Sequence, residues 1–196
     1  LSNYTTSTIA LGVSSDHITK ANGKVYVSNG YFGSGNSVSV INTTTNVVED
    51  VIDLGAGNSP STLQEKNGVL YVLAASNIFK INTVNNQVIS SIVIPTAIDF
   101  PSNLTIADSK IYFTGNSTSV YATELSASTV SATAILSYTS TSAYGPMYGF
   151  AVNNGKIYIS DGGDFASDGN AYIYSTSGSL LNTYIVGVGP NGFYFN

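Results

Sequence analysis

The segment Gly155-Lys156-Ile157-Tyr158-Ile159 decides the fold, because related segments occur three more times in the chain. The other three are Gly23-Lys24-Val25-Tyr26-Val27, Gly68-Val69-Leu70-Tyr71-Val72 and Ser109-Lys110-Ile111-Tyr112-Phe113. Their tyrosines are separated by 45, 41 and 46 positions. A repeat of about 40–45 residues that contains several short strands is typical of a propeller blade. The repeat therefore predicts a β-propeller.

Each repeat contains four β-like runs, which are rich in β-branched and aromatic residues and are separated by Gly, Asn, Ser and Pro. No stretch has helical apolar spacing, so the sequence predicts an all-β chain with four-stranded antiparallel blades. One domain, 1–196, would hold four complete blades at about 15–59, 60–100, 101–146 and 147–189. In the first blade the first run is 16–19, and in the third blade the fourth run is 130–136. Residues 1–14 and 190–196 are predicted to be strands of two incomplete blades, with N-terminal blades missing from the chain; the less favoured alternative is a four-bladed ring with two spare strands.

The composition excludes several classes of function. Only 9% of the residues are charged, all 6 cations are Lys, and the net charge is -5. This balance argues against nucleic-acid binding, which needs a basic patch. The chain has no Cys, and His17 is its only His, so thiolate sites and catalytic triads are absent from the sequence. No apolar run approaches the roughly 18 residues of a membrane-spanning helix.

The repeat from Lys24 through Val38–Thr43 to Gly57-Asn58-Ser59-Pro60 resembles the YVTN-type surface β-propeller repeat. The segments 159–165, 169–174 and 187–195 resemble the end of Bacteroidetes-type cell-surface propellers of unassigned function. That family includes surface cobalamin-binding propellers that pass the vitamin to an outer-membrane transporter. The resemblance implies a seven-bladed ring to which this chain contributes about four blades. It also implies a location on the extracellular face of the outer membrane, or secretion.

In a propeller, the loops that join the second strand to the third, and one blade to the next, gather on one face that commonly binds ligands. Here these loops are 28–37, 73–76, 114–118, 160–170, 55–61, 95–102 and 138–148. Aromatic side chains on such loops offer flat apolar surfaces to a sugar or a corrin ring. The predicted ligand-binding residues are Tyr31, Phe32, Phe100, Tyr144, Met147, Tyr148 and Phe165. Alternatively, several of them fill the space between blades.

One acidic cluster is a candidate cation site. Its members are Asp161, Asp164, Asp168 and Asn170. Oxygen ligands closely spaced on a Gly-rich loop suit Ca²⁺, although the spacing does not match the helix-flanked calcium loop. The alternative is that these side chains cap tight turns. No other cofactor is evident.

The sequence therefore predicts a non-enzymatic cell-surface propeller that binds a ligand or a protein through its loops. One version is capture of a cobalamin-like or glycan nutrient for an outer-membrane transporter. A second hypothesis is a scaffold subunit of an outer-membrane or secretion complex. The least favoured hypothesis is a propeller lyase in which His17, placed on a first strand, serves as a general base.

Overall fold

The computed structural model describes residues 6–30, 33–140 and 142–195. In these ranges sixteen strands form four sheets of four antiparallel strands each, which confirms the predicted fold class. The chain divides into two compact units, residues 1–91 and 92–196. Among the described residues, no helix has the length and apolar character needed to span a membrane.

The first unit contains two sheets with the orders β1-β2-β3-β4 and β5-β6-β7-β8. The strands of the first sheet are β1 (Ile18–Ala21), β2 (Lys24–Asn29), β3 (Ser37–Asn42) and β4 (Val47–Asp53). Those of the second are β5 (Pro60–Lys66), β6 (Val69–Ala74), β7 (Asn77–Asn82) and β8 (Val88–Val93), the last of which runs slightly past the end of the unit. In each sheet, β2 or β6 carries the repeated tyrosine in a central position.

The second unit repeats this arrangement with the orders β9-β10-β11-β12 and β13-β14-β15-β16. The strands of one sheet are β9 (Ser102–Ala107), β10 (Lys110–Gly115), β11 (Ser119–Glu124) and β12 (Leu136–Ser137). Those of the other are β13 (Gly149–Asn153), β14 (Lys156–Asp161), β15 (Gly169–Ser175) and β16 (Leu180–Val186). Long loops follow β12 and β14, and these loops carry most of the predicted site.

The glycine that opens the repeat motif is required by a tight turn. In the first hairpin Ala21 pairs with Lys24, so the loop contains only Asn22 and Gly23, with φ values of 48° and 73°. A two-residue turn with positive φ at both positions matches the right-handed twist of the strands and favours Asn-Gly. Asn67-Gly68 and Asn154-Gly155 also have positive φ at both residues. The turn chemistry thereby fixes the register of three of the four sheets.

The core of the first unit joins its two sheets. Tyr26, Val40 and Ile52 belong to the same buried cluster as Leu70 and Val72. The cluster continues with Ala21, Val38, Leu54, Leu63, Ala74 and Ile81. Alternating residues of neighbouring strands supply these side chains, as expected when one face of a sheet is buried.

A network of hydrogen-bonded polar groups lies at the edge of this core. The Tyr26 hydroxyl lies 3.0 Å from the Thr83 carbonyl oxygen and 3.0 Å from Asn86 Oδ1, and both oxygens are acceptors for its single proton. Asn86 Nδ2 donates to Asp50 Oδ2 at 2.8 Å, and Lys24 Nζ donates to Asn86 Oδ1 at 3.1 Å. Burial raises the pKa of Tyr26 to about 12, and the negative charges of Glu49 and Asp50 add to the effect. The repeated tyrosine in β2 therefore holds two sheets together.

The structure corrects three details of the sequence-based strands. The predicted run 130–136 is not a strand, because β12 has only two residues and 128–130 bonds to Val93 instead. His17 lies just before β1 rather than within it, half-exposed and 3.2 Å from Asp16 through its Nδ1. The described residues of the two terminal segments, 6–14 and 190–195, contain no strand. An apolar run becomes a strand only where another backbone pairs with it.

Candidate functional site

All five described residues of the predicted ligand site lie in the second unit, on three loops. Phe100 lies between β8 and β9, Tyr144, Met147 and Tyr148 lie between β12 and β13, and Phe165 lies between β14 and β15. Tyr31 and Phe32 lie outside the described residues. We call the five residues, with the cavities that adjoin them, the loop face.

The largest cavity described on the loop face has a volume of about 600 Å³ and is open to solvent. Its lining residues carry six hydroxyl groups and no charge, and they are Ser117, Thr118, Tyr138, Thr139, Ser140, Ser142, Ala143 and Pro146. Two of these hydroxyls stabilise the loop: Ser140 Oγ donates to the Ser142 carbonyl oxygen at 2.8 Å, and Ser142 Oγ accepts the Tyr144 N–H at 3.2 Å. A cavity of this volume is within the range of about 300–1,000 Å³ that holds small ligands.

A second cavity of about 200 Å³ adjoins the first and shares Ser117, Ala143 and Pro146 with it. Three predicted residues, Phe100, Tyr144 and Met147, contribute to its lining. Phe100 and Tyr144 are 85% and 82% exposed, whereas Met147 is buried. The structure thus brings an apolar surface and a hydroxyl-lined cavity side by side.

Three bulky residues of the loop face have left-handed backbone conformations. The φ values are 50° at Phe100, 53° at Met147 and 58° at Phe165. The other described non-glycine residues with positive φ are Asn, Asp, Ala or Ser. Positive φ is unusual for a large side chain, costs roughly 1–3 kcal/mol and is concentrated at functional sites. The surrounding contacts must therefore impose these conformations.

Those contacts are visible for each of the three residues. Met147 donates its N–H to the Tyr138 hydroxyl at 2.9 Å, and its carbonyl oxygen accepts a bond from Asn103 Nδ2 at 3.3 Å. The backbone beside Phe100 is held by Asn116, whose Oδ1 accepts the Asp99 N–H at 2.6 Å. The Phe165 ring packs edge-on against Tyr148 with a centroid distance of 4.8 Å.

Beside the larger cavity lies a partly buried phenol next to a buried carboxylate. Burial raises the pKa of Tyr138, and the negative charge of Asp161 raises it further, while the Met147 N–H acts in the opposite direction. The Tyr138 ring also packs on Tyr172 with a centroid distance of 5.1 Å. Asp161 is 1% exposed; its Oδ1 accepts the Gly163 N–H at 2.9 Å, but its Oδ2 has no hydrogen-bond partner among the described residues.

Three of the four residues of the predicted cation site, Asp161, Asp164 and Asn170, cap turns or pair between strands. Asp164 Oδ1 accepts the N–H groups of Ala166 and Ser167 at 2.9 Å, which lowers the pKa of the Asp164 carboxyl. Asp168 lines a cavity of about 200 Å³ together with Asp164, and Asn170 pairs with Asp161 in the β14–β15 ladder. Within the described ranges, no three acidic or His side chains converge in a way that could hold a metal ion.

Sequence reasoning did not single out Tyr138, Asn103 or Asn116. Tyr138 accepts the bond that holds Met147, and the two asparagines hold the neighbouring loops while having positive φ themselves, 55° at Asn103 and 50° at Asn116. Asparagine tolerates the left-handed region, so an Asn beside a predicted strand end was the available signal. In a chain this rich in asparagine, that signal is weak.

The comparisons with known proteins bear on the fold. No protein-family model matches the sequence, and no curated protein matches it. Solved structures do match. Hydrazine synthase from Kuenenia stuttgartiensis has a TM-score of 0.69 at 14% identity, over 94% of this chain and 53% of that one. BamB from Moraxella catarrhalis has a TM-score of 0.61 at 10% identity, over 91% and 51%.

The BBS1N protein, solved in complex with ARL6DN, has a TM-score of 0.62 at 12% identity over 83% of this chain and 49% of that one. The chain thus spans about half the length of these matched structures. All three are β-propeller proteins. Together with the four sheets of four antiparallel strands, this likeness shows that the chain has a β-propeller fold.

Proposed function

We propose that the chain is a non-enzymatic binding protein that holds its ligand on the loop face of the second unit. The observation that carries this proposal is the convergence of strained bulky residues on one set of loops. Phe100 and Met147 both have positive φ and both line the smaller cavity, which adjoins the larger one. A fold maintains such unfavourable conformations where the resulting surface has a use.

The chemistry of the loop face favours an uncharged ligand that has both ring faces and hydroxyl groups. The larger cavity presents hydroxyls without a charged side chain, and the exposed rings of Phe100 and Tyr144 lie next to it. Hydroxyls donate and accept hydrogen bonds with sugar hydroxyls, while aromatic rings pack against the apolar faces of pyranose rings. A glycan is the ligand class that uses both features, and a cobalamin-like corrin ring is the second choice.

The cellular location and the partner of the protein are proposed from the sequence. The resemblance to surface propellers favours the extracellular face of the outer membrane, or secretion, with an outer-membrane transporter as the partner. Calcium binding on the β14–β15 loop is a separate proposal. A comparison of melting temperatures in calcium and in EDTA tests it, because a bound cation would raise the melting temperature.

The experiment is calorimetric titration of a panel of oligosaccharides, cobinamide and cobalamin against the chain and two variants. The double variant Phe100→Ala/Tyr144→Ala removes the two most exposed rings of the loop face. Val84→Ala, at an apolar side chain that is 73% exposed in the first unit, is the matched control. Loss of interface aromatics commonly costs about 2 kcal/mol or more, so we expect an affinity drop of about thirtyfold in the double variant only.

A protein partner is the second candidate occupant of the same surface. Its support is the BBS1N propeller, which was solved in complex with another protein, and the exposed aromatic residues, which are enriched in protein interfaces. If no ligand of the panel binds the parent chain, this candidate becomes the better one. If a ligand binds equally well to the parent and to the double variant, the site lies elsewhere. A lyase activity dependent on His17 is the least favoured function, and turnover of any panel ligand would support it.

A further inference from the structure

Each sheet has two edge strands, and we call the later one in the sequence, β4, β8, β12 or β16, its outer strand; these four differ in how their free edges are protected. An outer strand leaves a row of backbone N–H and C=O groups without partners, and natural proteins discourage pairing there with charges, cover or short length. In β4 the acids Glu49, Asp50 and Asp53 provide charge. Near the end of β8, Val93 forms a parallel bridge with Thr129. The strand β12 has only two residues.

The fourth outer strand, β16, has neither charge nor cover nor short length, and its only irregularity in the pairing with β15 is a register shift at Leu181, which β4 matches with a shift at Glu49. Its sequence, Leu-Leu-Asn-Thr-Tyr-Ile-Val over Leu180–Val186, contains no charged residue, no Pro and no Gly. It pairs with β15 on one side, and no strand among the described residues pairs with its other side. Apolar side chains along it are exposed, and Ile185 reaches 77%. Six exposed residues and the partly exposed Val186 form a template for another strand.

The order of residues in β16 identifies the strand that fits. When the sequence is laid antiparallel on a copy of itself with Thr183 at the centre, the facing residues are matched in polarity, and the central pairs lie in the part of β16 that pairs regularly with β15. Thr183 faces Thr183, Asn182 faces Tyr184, Leu181 faces Ile185, and Leu180 faces Val186. Matched apolar pairs and polar pairs directly opposite each other stabilise antiparallel ladders.

We propose that β16 is a dimerisation edge, which pairs antiparallel with β16 of a second copy of this chain around a two-fold axis at Thr183. Two-fold pairing uses the same patch on both copies, so the contact closes at the dimer and leaves neither β16 edge free. The two four-stranded sheets become one continuous eight-stranded sheet.

The contrast with β4 explains why this edge is suited to self-pairing. If β4 paired with itself around Asp50, that carboxylate would face its own copy, and like charges directly opposite each other destabilise a ladder. In β16 no such repulsion exists. An unrelated extended segment would gain the backbone hydrogen bonds but has no reason to match the symmetric order of the side chains.

Complementary charges at the two-fold position test the proposal. Sedimentation velocity on the full 196-residue chain should give a dimer that dissociates on dilution. Thr183→Lys and Thr183→Glu, each alone, place like charges opposite each other and should give monomers. An equimolar mixture of the two variants places Lys opposite Glu and should restore the dimer. Val51→Lys, at an exposed position of β4, is the control and should leave the dimer unchanged. Circular dichroism spectra should show the same sheet content in every variant.

Four results would overturn the proposal. The first is a parent chain that stays monomeric at the highest concentration tested, and the second is association that grows without limit instead of closing at two copies. The third is an unchanged mass for Thr183→Lys, which would assign the association to another surface. The fourth is a mixture of the two charged variants that stays monomeric, because it would exclude the register centred on Thr183.

Discussion

Tyr26 in the first unit and Tyr138 in the second are both tyrosines buried at least in part near carboxylates, but their hydroxyls have different kinds of hydrogen-bond partner. Each is a tyrosine whose pKa is raised by burial and by nearby carboxylates. The Tyr26 hydroxyl has two acceptors, and the groups around it are bonded to one another. The Tyr138 hydroxyl accepts a bond from a strained residue beside an open cavity, and one oxygen of the adjacent Asp161 has no hydrogen-bond partner in the part of the chain that the structure describes.

The difference teaches how to distinguish a structural network from a binding site when both contain polar groups. In the first unit the polar groups around Tyr26 are bonded to one another, so the network mainly stabilises packing, although Asp50 and Asn86 also line a cavity of about 260 Å³. In the second unit the bonds hold Met147 in an unfavourable conformation and leave hydroxyls facing solvent. We expect substitutions to reduce stability in the first region and binding in the second.

The largest effect is expected from Tyr26→Ala. The substitution removes a fully buried ring and both hydroxyl contacts, so the free energy of unfolding should fall by about 3–5 kcal/mol. Urea unfolding followed by circular dichroism measures the loss, and hydrogen exchange should accelerate in β2 and β7. Tyr148→Ala, at a side chain that is 48% exposed, is the matched control. A loss below 1 kcal/mol would show that Tyr26 does not hold the two sheets of the first unit together.

A smaller effect is expected from alkaline pH. The pKa of Tyr26 is raised from 10.0 to about 12, so its contribution to stability is complete below about pH 10 and is lost as the pH rises towards 12. Two pKa units correspond to a contribution on the order of 3 kcal/mol.

The Tyr26→Phe variant isolates this contribution from those of other buried tyrosines. Thermal melts between pH 8 and pH 12 should show a shallower alkaline decline for the variant than for the parent. Parallel declines in the two proteins would contradict the assignment.

Tyr138→Phe tests the role of the Tyr138 hydroxyl in the second unit. The ring remains, but the Met147 N–H loses its acceptor, which should cost about 1–2 kcal/mol of stability. Relative to the parent chain, ligand affinity should fall by a larger fraction than the free energy of unfolding, because Met147 lines the smaller cavity. Titration of a ligand identified from the panel measures it. Unchanged affinity at reduced stability would make Tyr138 a purely structural residue.

The smallest effect, and one of opposite sign, is expected from Phe100→Gly. Glycine adopts a φ of 50° without strain, and Phe100 buries almost nothing, so stability should rise slightly, by about 0.5–1 kcal/mol. Ligand affinity should fall because an exposed ring is lost. A variant that is less stable than the parent would show that the ring packs in solution.

The sequence predicts the sheets well because the repeat motif, its Asn-Gly turns and its alternating side chains all favour the same register. The sequence-based prediction fails at 130–136, where apolar alternation looks like a strand, but Val130 bonds to Val93 and only the end of the run pairs with β11. Pairing depends on which partner strand is within reach, and no local pattern records that. The sequence predicts that Phe100, Met147 and Phe165 lie on loops, but not their left-handed conformations. At Met147, for example, hydrogen bonds with Asn103 and Tyr138 hold that conformation.

The Asn-Gly turns that open three of the four sheets also set a limit on the chemical lifetime of the protein. An asparagine followed by glycine is prone to deamidation, because the unhindered glycine N–H can attack the side-chain amide and form a cyclic imide. Hydrolysis of the imide gives isoaspartate, which lengthens the main chain by one atom inside a two-residue turn. Asn22, Asn67 and Asn154 occupy such sites, whereas the third sheet has Asp108-Ser109 in the same place. Three hairpins with favourable turn geometry therefore contain sites of deamidation, as do Asn29-Gly30 and Asn191-Gly192 outside them.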